Sequence, residues 1–227
     1  MNTRQLLDSL LNSGSQLLGN QSGKPAKTAG DRNDSLSRFL TGAGGGALAG
    51  SALGVLLGNK KARKVGRKVA MYGGLAALGV IAYKAYGNWQ RNQGDTSNEP
   101  QTIDCLSGPQ AEQHSKAMLR ALIGAAKADG HIDDREYEVI EGEVARLSDD
   151  VQLKQWFDQE LRKPLDPAEV ASCALSPEMA AEVYLTSVLM VDEQNYMERA
   201  YLQELTRQLK LDTSLVAELE QQTSRAL

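Results

Sequence analysis

The chain is poor in the residues from which most active sites are built. Two cysteines in 227 residues, Cys105 and Cys173, lack metal-type spacing and make no disulfide framework, so they read as two unrelated small apolar residues. Only two histidines are present, and no nucleophile elbow or comparable motif accompanies the many serines. A hydrolytic triad therefore has no support, and the chain reads as a protein without enzymatic activity. No stretch alternates apolar and polar residues with period two, which leaves no material for a sheet. The opening "MNTRQLLDSLLNSGSQLLG" has no long apolar core and no small-residue cleavage pattern, so membrane insertion is expected from an internal segment.

Charge is abundant but divided. Residues 1–100 hold 13 Lys/Arg against 5 Asp/Glu, whereas residues 101–227 hold 12 against 24. The formal net charge of −4 thus conceals a basic first part and a strongly acidic second part. An acidic domain repels phosphate, and nucleic acid is not an expected partner.

Glycine is where the sequence becomes specific. Gly42, Gly46, Gly50, Gly54 and Gly58 recur at every fourth position inside Phe39–Asn59, 21 residues without a charge. As a helix this stretch is about 30 Å long, the thickness of a bilayer's hydrocarbon core. In water each interior glycine costs about 1 kcal/mol relative to alanine, whereas in lipid the backbone has almost no alternative to helix. Spacing of four places the glycines in one stripe, a groove for close approach of a second helix. Gly66, Ala70 and Gly74 continue the pattern in "VGRKVAMYGGLAALGVIAYKAYGNW", residues 65–89. The uncharged run there, Val69–Tyr83, is short for a span, with Lys68 and Lys84 placed to snorkel and Tyr83, Tyr86 and Trp89 placed as an interfacial belt. A membrane hairpin, or one span plus an interfacial helix, fits both segments; the alternative, Gly/Ala-rich core helices of a soluble domain, is disfavoured by the lack of a polar face in 39–59 and by seven glycines in 42–58. The intervening Lys60, Lys61, Arg63, Lys64, Arg67 and Lys68 are expected to stay cytoplasmic and to meet anionic lipid headgroups. Two spans send both termini away from the cytoplasm, and a single span leaves the acidic part inside it. The glycine ladder also offers a surface for homo-oligomers.

Polar segments punctuated by glycine and proline divide the rest. The expected organisation is an N-terminal segment and linker (1–35), a glycine-zipper membrane region (36–89), a linker (90–108) and an acidic helical domain (109–227). In that domain "DPAE" (166–169), "SPEM" (176–179) and "DDRE" (133–136) are capping boxes. Met118, Ala121, Leu122 and Ala125 form one helical stripe, and Tyr137, Ile140, Val144 and Leu147 another. The spacing predicts seven helices, near 110–128, 134–147, 150–161, 167–173, 177–191, 195–209 and 213–225. Trp156 and Phe157 are expected to anchor one of them, while His114 has no expected role.

A weak internal repeat relates "AAKADGHIDDREYEVI" (125–140) to "SVLMVDEQNYMERAYL" (187–202), each a helix, an acidic turn and a helix. Asp129 and Glu136 answer Asp192 and Glu198, although the second copy lacks the Asp-Gly-x-x-Asp pattern. These stretches resemble the TerB fold of tellurite-resistance proteins. With the glycine-rich segment in front, the whole chain resembles the YebE-like family, bacterial inner-membrane proteins with a C-terminal TerB-like domain. The resemblance implies an all-α bundle of about seven helices, an inner-membrane location and acidic turns that bind divalent metal.

Read from the residues alone, Asp129, Asp133, Glu136, Asp192 and Glu198, with Asp134 and His131 beside them, are candidate ligands for Ca²⁺ or Mg²⁺. The spacing is not that of an EF-hand, and helix capping and solvation account for the same acids. The expected function is presentation of an acidic domain to a protein partner or a divalent ion, in envelope stress or in tellurite or metal resistance. The alternative is a structural membrane protein that self-associates through its glycine zipper.

Overall fold

The computed structural model describes residues 3–10, 75–94, 99–128, 134–191 and 195–225, with the single positions 130 and 132. All regular structure among the described residues is helical, in nine helices. They are α1 (residues 3–10), α2 (Leu75–Asn92), α3 (Gly108–Ala128), α4 (Asp134–Leu147), α5 (Val151–Arg162), α6 (Pro167–Ala171), α7 (Pro177–Met190), α8 (Tyr196–Gln208) and α9 (Thr213–Arg225).

The last seven coincide with the expected helices to within about two residues, and their caps explain why. Asp166 and Ser176 each precede a proline and accept a backbone N–H from their own first turn, Ala168 at 2.8 Å and Met179 at 3.2 Å. Asp150 does the same for α5 through Leu153 N–H at 3.0 Å, and Asn195 for α8 through Met197 N–H at 2.9 Å.

α7 is the axis of the bundle. It is apolar all round, so it has no face that can meet water, and it packs against α2, α3, α8 and α9. Ala117, Ala121 and Ala125 on α3 lie in the buried interior and leave room for close helix packing. Phe157 is fully buried on α5 with Trp156 edge-on beside it, the anchoring role expected of that pair.

α2 corrects the expected domain boundary. Leu78, Ile81, Ala82, Ala85 and Tyr86 form one buried stripe that faces α7 and α9, so the apolar face seeks protein where a bilayer was expected. Tyr86 and Trp89 are not an interfacial belt. Their rings pack together at 5.4 Å, and the Trp89 indole N–H donates to Ser214 Oγ at 2.9 Å. Asn88 reinforces the seat by donating to Glu218 at 2.8 Å. Ile103 and Thr102, placed in a linker by the sequence, are fully buried. The folded unit therefore includes α2 and the loop after it, ahead of the expected boundary at 109. Among the described residues no helix is long and apolar enough to cross a membrane. The glycine ladder, the basic loop and the small residues Gly66, Ala70 and Gly74 lie outside the described residues.

α1 is likewise part of the bundle, where a free segment was expected. Leu6, Leu7 and Leu10 are fully buried. The first-turn N–H groups of Thr3 and Arg4 donate to the Glu112 carboxylate at 2.8 and 3.4 Å, so a side chain of α3 helps to cap α1.

Two glycines give opposite tests of this packing. A Cβ on Gly79 would stand 2.5 Å from Asp104 Oδ1, 2.8 Å from its backbone N and 2.9 Å from Ile103 Cγ2, whereas a Cβ on Gly142 in α4 would meet nothing. Gly79→Ala is expected to destabilise the protein by roughly 1–3 kcal/mol through overpacking. Gly142→Ala is expected to stabilise it by about 0.5–1 kcal/mol. Urea unfolding followed by circular dichroism measures both; equal effects of the two substitutions would mean that α2 is not seated on this loop.

Candidate functional site

Most of the expected metal ligands are not placed by the structure. Asp129, His131, Asp133 and Asp192 lie outside the described residues, and Glu136 falls in α4 with its side chain outside them. Glu198 is placed, as the third residue of α8 and almost wholly buried, the position that a capping box assigns to an acid after an Asn195 cap. Among the described residues no group of three or more Asp, Glu, His or Cys is gathered as a metal site. The expected pairing of two acidic turns is thus neither assembled nor dismantled by what is described.

The polar chemistry that is placed lies elsewhere. Glu182 sits in the middle of α7, buried on every side. His114 Nδ1 of α3 approaches its carboxylate at 2.5 Å, and the Ile103 backbone N–H donates to the other oxygen at 2.5 Å. Burial pushes the Glu182 carboxyl upward, against the opposing pull of His114 and the Ile103 amide. Beside it Thr102 donates to Asp104 at 2.6 Å. One carboxylate therefore ties α3, α7 and the loop after α2 together. Sequence reasoning assigned His114 nothing; the available signal was the lone acid in the otherwise uncharged run "MAAEVYLTSVLM" (179–190), which burial obliges to find a donor.

A second cluster surrounds Glu160 on α5. Arg120 grips it with two guanidinium nitrogens, Nη2 and Nε, the latter at 3.0 Å, and Lys163 donates to it at 3.0 Å and to Glu169 at 2.5 Å. Lys127 donates to the backbone carbonyls of Glu160 and Lys163, capping the C-terminal end of α5 where cations are favoured. Burial raises the Glu160 carboxyl, but the Arg120 and Lys163 hydrogen bonds outweigh it and hold the group below its ordinary 4.5. Burial moves the Lys127 ammonium the other way, downward. The adjoining cavity, about 20 Å³, has room for roughly one water. This cluster joins α3, α5 and α6 and its charges are mutually satisfied.

Reactive groups are held quiet. Burial pushes the Cys173 thiol up to about 11 and the Tyr201 hydroxyl up to about 12, so neither supplies an anion at neutral pH. Exposed Cys105 is also raised, by desolvation and then by the Asp104 carboxylate.

A family described as "Protein of unknown function (DUF533)" matches residues 42–223. The chain belongs to the DUF533 family. DUF533 is related to the TerB-like proteins, in keeping with the all-helical bundle. The match begins at Gly42, so the glycine-rich stretch and the bundle fall within one family unit, while α1 lies before it. The chain is 32% identical over 110 residues to the "Uncharacterized protein in ampR 5'region" of Yersinia enterocolitica, an alignment that covers 48% of this chain and 79% of that protein. No solved structure matches the chain.

The Glu160 cluster gives a pH test. Its folded carboxyl is depressed, so the stability it contributes is present above pH 4.5 and is lost as pH falls through the lower folded value. Glu160→Gln is expected to lose about 2–4 kcal/mol at pH 7, by leaving Arg120 and Lys163 without their shared anion. The variant's deficit should shrink as pH falls below 4.5. Urea titrations across pH check this, and a constant deficit at all pH values would contradict it.

Proposed function

We propose that this DUF533 chain is a non-enzymatic protein of the bacterial inner membrane, held to the bilayer by its glycine-rich stretch, whose acidic bundle receives a protein partner. The observation that carries the partner reading is a pair of neighbours on the first turn of α8. Tyr196 and Met197 are 73% and 65% exposed, on a bundle whose other large apolar residues are mostly buried. Aromatic and methionine side chains are favoured at the centres of interfaces, and methionine adapts its shape to what it meets. The surrounding charge selects the partner's chemistry. From residue 75 onward the chain holds 14 Lys/Arg against 26 Asp/Glu, which favours a basic partner with an apolar anchor.

Lys60, Lys61, Arg63, Lys64, Arg67 and Lys68 are proposed to contact lipid headgroups at the membrane surface. The spacing of Gly42, Gly46, Gly50, Gly54 and Gly58 favours a second reading, self-association of the chain with the bundle as a passive load. Divalent-ion binding at the acidic turns rests on the clustered carboxylates of the sequence and on the family resemblance, and a place in envelope stress or tellurite and metal resistance on the resemblance alone.

A photo-crosslinking residue introduced at Ala200, exposed on α8 one turn beyond Tyr196, tests the partner reading in intact cells. The expected result is a heterologous adduct that disappears in a Tyr196→Ser, Met197→Ser background, with the thermal melt unchanged because both side chains are exposed. An adduct that survives the double substitution would place the interface elsewhere. Titration of Ca²⁺, Mg²⁺ and Mn²⁺ into the full chain decides the ion reading. Saturable micromolar heat lost in both Asp129→Asn and Asp192→Asn supports it, and flat traces remove it.

A further inference from the structure

The N-terminal helix and the bundle form one folded surface although residues 11–74 separate them in sequence. Three leucines of α1 are fully buried, and Glu112 of α3 receives both first-turn amides. Thr3 Oγ1 also donates to the Glu112 backbone carbonyl at 3.1 Å, and Arg4 Nη1 to the Leu106 carbonyl at 3.0 Å. Gln5 and Leu6 form one wall of a crevice of about 290 Å³ whose other wall is Arg146, Asp149 and Asp150, at the turn from α4 to α5. This is a seat with an apolar floor, a capping carboxylate and a basic side chain on a carbonyl. Residues 3–10 by themselves would not hold a helix in water.

From that seat we infer the membrane topology of the chain, resting on the membrane reading above: α1 and the bundle lie on the same face of the bilayer, and the sequence between them offers no pair of spans. A single crossing would put α1 and α2 on opposite faces, where Glu112 cannot reach Thr3. A second crossing would need about 20 further apolar residues before α2. The stretch left for it, residues 60–74, is shorter than that and carries six Lys/Arg. The hairpin foreseen from the sequence borrowed its second arm from residues that belong to α2, and α2 is occupied by α7 and α9.

Two thiol experiments on the full chain decide this, with Cys173→Ala as background. Exposed Cys105 reports the bundle's face, and Gln5→Cys, in a further Cys105→Ser background, reports the face of α1. Both are treated in spheroplasts with a membrane-impermeant maleimide, before and after lysis. Labelling of the two positions under the same condition is the expected result; labelling under opposite conditions would overturn the inference while leaving membrane attachment intact. The second experiment uses Leu7→Cys, a buried position, to report docking directly. Its reaction with maleimide is expected to be at least tenfold slower than that of Gln5→Cys and to accelerate tenfold or more when Glu112→Ala or Glu112→Gln is added. If the chain fails to sediment with membranes, the membrane reading fails by itself, and the Leu7→Cys rate still judges the docking. A rapid reaction insensitive to either Glu112 substitution would overturn the inference in every case.

Discussion

The described structure depends on one buried carboxylate. Glu182 stands at the middle of a helix that is otherwise apolar on all sides, and an isolated anion there would be too costly to keep. Its position is tolerable because His114 and the Ile103 amide converge on it. The arrangement is directional as well as compensating. Apolar helices slide over one another at little cost, whereas a carboxylate with two donors fixes the rotation of α3 against α7 and the course of the loop after α2 at once. The close passage of that loop over Gly79 then sets where α2 lies.

Clamps of the same kind recur outward from this centre. Glu160 collects Arg120 and Lys163 and binds α5 and α6 to α3, while Glu112 collects the first amides of α1. In each case an acid on one helix satisfies donors that another element cannot satisfy for itself. The acidic excess of the chain is therefore partly interior architecture, and only the remainder is surface available to a partner. The raised Cys173 and Tyr201 belong to the same interior, where burial holds the neutral forms.

The legible part of the fold was the part encoded locally. Asp166-Pro167 and Ser176-Pro177 fix helix starts through bonds to amides two or three residues away, and the stripes of α3 and α4 repeat every three or four positions. The two helices that sequence reasoning misassigned are held by distant partners. α1 takes its cap from a residue more than a hundred positions onward, and α2 offers an uncharged stripe of Leu, Ile, Ala and Tyr whose hydropathy is the same whether lipid or protein covers it. His114 was illegible for the same reason, since its partner lies 68 residues away. The acidic turns remain a property of the sequence and the family resemblance, because Asp129, Asp133 and Asp192 lie outside the described residues.

Whether α2 belongs to the folded unit is the claim on which the domain boundary, the fate of the aromatic residues and the topology all turn. Native-state amide exchange on the full chain in lipid-free buffer tests it most directly. The account expects amides of residues 79–90 in α2 to exchange as slowly as those of residues 181–189 in α7, and to lose protection together with them as urea is added. Exchange of the α2 amides at the rate of an unfolded chain, with protection appearing only when a bilayer is supplied, would contradict it and return that segment to the membrane.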